Sequence, residues 1–109
     1  MLSAVELADC TPHTLDFAGR ASWRVRVVSE LVEINSRQLR VETRRAGADI
    51  ELQGALERTP DAALPTGMDL LREALAAAEA ELDALELRRS ALLAVLDALN
   101  AAELAGGQP

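Results

Sequence analysis

The sequence predicts an α+β protein, in which a small antiparallel β-meander over about 15–56 precedes a long, coiled-coil-like C-terminal helix over about 67–105. Three observations lead there. Apolar and charged residues alternate through residues 23–53, leucines recur on a 4-3 spacing from Met68 to Leu99, and prolines separate the two stretches.

The alternation comes in three runs. Trp23, Val25 and Val27 alternate with Arg24 and Arg26; Leu39, Val41 and Thr43 with Arg40, Glu42 and Arg44; Ala48, Ile50 and Leu52 with Asp49, Glu51 and Gln53. Each run suits a strand with one buried face. Asn35-Ser36-Arg37 and Ala46-Gly47 supply turn chemistry between them, and Leu15–Ala18 offers a fourth strand. At Val28 the apolar set slips from odd to even positions (Val28, Val32, Ile34). A β-bulge explains that slip. So does a helix across 23–45, which gives the alternative, an all-α chain with a helical N-terminal half. Trp23 is expected to anchor the core.

Residues 1–57 thus form a small β-rich domain, 58–66 a hinge with two prolines, 67–105 an oligomerisation helix and 106–109 a flexible tail. Thr66 is placed to cap the helix, with Asp69 three residues on in capping-box position. Neither Gly nor Pro occurs from Met68 to Ala105, and Gly106-Gly107 ends the helix.

Two rows make the helix seam: Leu71, Ala78, Leu85, Leu92 and Leu99, and Met68, Leu75, Leu82, Arg89 and Leu96. Such a seam needs another helix to cover it. A rod of roughly 57 Å, at ~1.5 Å per residue, outruns a compact chain of this size, whose radius of gyration is ~13 Å. A fold-back inside the helix could break only at Arg88-Arg89-Ser90, so pairing with a second copy is favoured. The expected oligomer interface is Leu71, Leu75, Ala78, Leu82, Leu85, Arg89, Leu92, Leu96 and Leu99. Arg89 in mid-seam sacrifices stability and fixes register. In a parallel pair Glu81 would meet Glu86, so antiparallel pairing is expected. Leu93 and Val95 widen the apolar face, and Leu87 lies outside it. The stretch Leu71–Leu99 resembles the C-terminal dimerisation helix of MerR-type regulators. The resemblance covers that helix alone, without a winged-helix domain before it, and implies dimerisation.

Composition narrows the function classes. The 109 residues carry a net charge of −7, and all eleven basic residues are arginine. Eight Arg stand against nine acids in 1–58, and three against nine in 59–109. So acidic a chain is disfavoured as a partner of nucleic acid or anionic membrane. One Trp, one Phe and no Tyr leave little for stacking bases or sugars. The lone Cys10 fits a reducing, cytoplasmic setting. No signal peptide is evident, and the apolar run Ala91–Leu96 is too short to span a bilayer.

Few residues suggest chemistry. Asp9, Cys10, His13 and Asp16 could in principle ligate a metal, and Cys10 with His13 could pair nucleophile and base. Pro12 interrupts any helix that would align them, and no third catalytic group or further soft ligand joins them. No cofactor, metal or catalytic site is therefore expected. Arg24, Arg26, Arg40 and Arg44 would share the outer face of the meander as a partner surface. With Arg20, Arg37 and Arg45 they set seven Arg against Glu30, Glu33 and Glu42. That surface could meet phosphate or an acidic partner. Cross-strand ion pairs or the chain's own acidic helix answer it in the favoured reading.

The expected function is a non-enzymatic oligomeric adaptor or chaperone-type accessory protein. It would self-associate through the C-terminal helix and present the β-region to another protein. The alternative is a small dimeric transcriptional regulator that binds DNA through the Arg-rich face.

Overall fold

The computed structural model describes residues 2–58 and 65–106, without the side chains of residues 65, 66 and 106. Of the described residues 93% are helical, and no strand occurs among them. The β-meander over 15–56, and with it a β-rich domain at 1–57, is thereby corrected to α-helix.

A short helix α1 (Ala4–Ala8) starts at Ser3, whose Oγ accepts the Glu6 N–H at 3.0 Å. A 3₁₀ turn follows at Pro12–Thr14. Helix α2 (Phe17–Arg58) begins behind Asp16, whose Oδ1 accepts the Gly19 N–H at 2.7 Å, satisfying a donor that the first turn leaves free. Helix α3 (Pro65–Gly106) opens with proline at its first position, where the missing N–H is no loss. It therefore starts one residue before Thr66, the expected cap. Residues 59–64 of the expected hinge and 107–109 of the expected tail lie outside the described residues.

The alternation at 23–53 has a helical cause. Val27, Ile34, Val41 and Ala48 recur at seven residues, with Leu31, Gln38 and Leu52 four residues after Val27, Ile34 and Ala48. Together they make a second 4-3 seam. Another apolar row, Val25, Val32 and Leu39, lies two positions before the first. Two heptad rows two residues apart produce triplets that look like strands. The structure separates them: Val27, Val41 and Leu52 are buried, whereas Val25, Leu39 and Ile50 are 65%, 66% and 71% exposed. Gly47, read as a turn, lies inside α2 with open space around it, at a cost of about 1 kcal/mol relative to Ala.

The chain divides into two compact units, Met1–Asn35 with Glu86–Pro109, and Ser36–Leu85. In the first, α2 and α3 run antiparallel, since Arg24 meets Glu103 and Glu30 meets Arg88. Val27, Ile34, Leu92 and Leu99 form its core, with Ala102 beyond them. In the second, Val41, Leu52, Ala78 and Leu85 are buried, and Glu81 answers Arg37 and Arg44.

Burial of a leucine contributes about 1.5–3 kcal/mol, and deletion leaves a cavity as well. Leu92→Ala is expected to lower the unfolding free energy by about 2–5 kcal/mol. Leu87→Ala, at a side chain 75% exposed, should stay within about 0.5 kcal/mol. Urea melts of the two variants check this, and equal shifts would displace the seam.

Candidate helix-flank site

The strongest side-chain cluster of the first unit is built around Glu30 and Arg88. Glu30 sits on α2 one position before Leu31 of the seam, and Arg88 one position before Arg89 of the α3 seam. In an antiparallel pair these two flanks meet. Glu30 is 4% exposed, the one buried charged residue among those described. The Arg88 Nη2 donates to both its carboxylate oxygens, at 2.8 and 3.0 Å, and Nε donates to Oε1 at 3.1 Å. Arg88 Nη2 also donates to the Leu2 carbonyl. One guanidinium thus joins α2, α3 and the N-terminal segment. Leu2 is itself buried, and Glu6 of α1 pairs with Arg26 at 2.5 Å.

An open cleft of about 270 Å³ lies beside this cluster, lined by Leu2, Val25, Arg26, Ser29, Glu30 and Glu33. It is half polar and shallow, with a guanidinium and two carboxylates at its edge. That donor set suits contact with another protein's side chains better than enclosure of a small molecule.

The expected interface residues are gathered on one side of α3, and much of their burial is met inside the chain. Ala78, Leu85, Leu92 and Leu99 are buried; Leu71, Leu75, Leu82, Arg89 and Leu96 are half-buried. Arg89 donates to the Asn35 side chain at 2.7 Å and lies 3.6 Å from Glu86. The pairing helix is α2, which the strand reading concealed. Leu93 is 43% exposed and Leu87 stays on the outside.

The four arginines expected on one strand face do not share one. Successive residues turn by about 100° on a helix, so Arg24 and Arg26 point to opposite sides of α2. Arg24 reaches Glu103 at 2.5 Å and Asn100 at 3.0 Å. Arg26 holds Glu6 and lies 5.1 Å from the centroid of the Trp23 ring. Arg44 reaches Glu81 at 3.4 Å. Arg40 is exposed and makes no ion pair among the described residues. For Arg24 and Arg44, then, the acidic α3 supplies the counter-charge. Trp23 is half-buried on the flank and not the anchor of the core.

Of the N-terminal quartet, Asp16 caps α2, His13 is exposed in the 3₁₀ turn, and Asp9 is exposed behind α1. No group of three metal-ligating side chains forms among the described residues. Cys10 is half-buried, and burial pushes its thiol pKa up. The Glu30–Arg88 cluster was not foreseen from the sequence. Its signal was a charged residue at the same flank position of each seam, legible only once both seams are seen.

No described helix is long and apolar enough to cross a membrane. Comparison with protein-family models, with curated proteins and with solved structures finds no match. The likeness of Leu71–Leu99 to a MerR-type helix therefore rests on heptad spacing alone.

Two outcomes follow. Arg88→Leu strands a buried carboxylate and is expected to lose about 3–5 kcal/mol in urea unfolding, whereas Glu30→Leu with Arg88→Leu recovers most of that loss. A double variant no better than the single one would show that the two side chains do not act as a pair. Second, the raised thiol pKa leaves less thiolate at a given pH, so Cys10 should alkylate with iodoacetamide at about pH 8 more slowly in the folded chain than in urea. Equal rates would place the thiol in open solvent.

Proposed function

We propose that the protein is a non-enzymatic helical adaptor, which self-associates and binds another protein through the outer faces of its helices in a reducing, cytoplasmic setting. One observation carries this reading. Much of the seam of the second unit is covered within the chain, yet Leu39 and Ile50 remain 66% and 71% exposed on the outside of α2. Exposed aliphatics in a helical row are the anchors of helix-in-groove recognition. Glu42 and Asp49 flank that row, so a partner surface with an apolar strip and basic edges fits it. In facing the partner, α2 takes the place of the β-region that the alternation suggests.

The alternative, a regulator gripping DNA through Arg24, Arg26, Arg40 and Arg44, draws less support. Three of those side chains already hold carboxylates, whose negative charge offsets theirs toward a phosphate.

Affinity capture from the native host, comparing wild type with a Leu39→Asp, Ile50→Asp variant, tests the reading. The variant should keep its melting behaviour, since exposed substitutions usually shift stability by about 0.5 kcal/mol or less each. It should lose a stoichiometric protein partner that rebinds the wild type when purified. The same captured set for both proteins, or salt-sensitive submicromolar binding of duplex DNA by the wild type, would overturn it.

A further inference from the structure

The first unit carries an outer row on α2 that its own seam does not use. Val25, Ser29 and Val32 follow one another at four and three residues, the spacing of a helix-pairing seam. Val25 is 65% and Val32 60% exposed, and Val28 beside them is 42% exposed. Ser29 between the valines is small, and the open cleft next to Leu2 begins there. The row is therefore a pair of knobs with a hole between them.

The charges along its edge are opposite in sign and seven residues apart. Arg26 follows Val25 and Glu33 follows Val32, on the same flank. Glu33 makes no ion pair among the described residues. Arg26, whose side chain is 49% exposed, holds Glu6, and a guanidinium has five donors, enough for a second carboxylate. A row with a cation at one end and an anion at the other complements its own reverse.

We infer that this face of α2 is a homodimer interface, and that its occupant is the same face of a second copy laid antiparallel. The inference rests on the self-association in the adaptor reading and names the surface responsible. With the twofold axis between Ser29 and Val32, each Val32 enters the hole over Ser29 of the other copy. Arg26 then lies beside Glu33 of the other copy, and the pair occurs twice, as an isologous contact requires. Alternating large and small side chains let the two helices interlock. The second unit does not offer the same fit. Its outer row Leu39, Thr43, Ala46 and Ile50 is edged by Glu42 and Asp49, and antiparallel self-pairing there would set carboxylate against carboxylate.

Sedimentation equilibrium of the full chain between about 1 and 200 μM reads the outcome, with far-ultraviolet circular dichroism confirming that each variant stays helical. The wild type should approach twice the 11.6 kDa chain mass. Val32→Glu, at an exposed position, should remain monomeric at the same concentrations. Glu33→Arg should weaken association at least tenfold, and adding Arg26→Glu to it should restore most of the loss. Because Glu33 has no ion-pair partner within the described chain, that rescue cannot come from repair of the monomer. A wild type monomeric throughout would overturn both this interface and the self-association on which it rests. A dimer unaffected by Val32→Glu would overturn the interface and leave self-association standing. A monomeric wild type that loses a different protein on Val32→Glu would show that the face belongs to that protein and not to a second copy.

Discussion

Aliphatic side chains placed every seventh residue along a helix have to be covered by a second helix that presents a matching row. In this protein Ala78, Leu85, Leu92 and Leu99 impose that demand, and Val27, Ile34 and Val41 meet it from α2. Aromatic residues contribute little, so the cores are made of small aliphatic layers that tolerate neither gaps nor slips. Pairing of the rows is also what makes helix out of a region rich in β-branched residues. The weak preference of valine and isoleucine for strands gives way because burying the seam stabilises the helix by more than that preference opposes it.

Charge then selects which way and in which register the rows meet. The flank of α2 carries Glu30, Arg37 and Arg44, and the matching flank of α3 carries Arg88 and Glu81. Signs oppose at each contact within each unit. The exposed pairs add little stability one by one, and the buried Glu30–Arg88 pair is of the kind that replacement by apolar residues can equal. Their contribution is to penalise other alignments. Each slipped register would leave Glu30 buried without its guanidinium.

About half of this organisation was legible in the sequence. The α3 seam was plain because leucine occupies most of its positions, and the burial of Ala78, Leu85, Leu92 and Leu99 follows the rows. The α2 seam was hidden because Gln38 and Arg45 interrupt it, and because the outer row Val25, Val32 and Leu39 sits two residues from the inner one. A window of five residues cannot tell two helical rows from one strand face; a window of twenty-five can. The arginines separate for the same reason, since a period of two puts Arg24 and Arg26 together and a period of 3.6 sets them apart. The Glu30–Arg88 cluster needed the pairing partner itself, which no local pattern supplies.

The hydrogen bond from Arg88 to the Leu2 carbonyl has a kinetic meaning. A helix of five residues, such as α1, has no persistence of its own in water. It is held by Leu2, by the Glu6–Arg26 pair and by whatever keeps Arg88 in place. Opening of the two long helices at Glu30 therefore releases the N-terminal segment, while the segment can lift away and leave the helices closed. Backbone amides of Ala4–Ala8 stand at the low end of a hierarchy of openings, and their exchange with solvent sets an upper bound on how often the inner pair breaks.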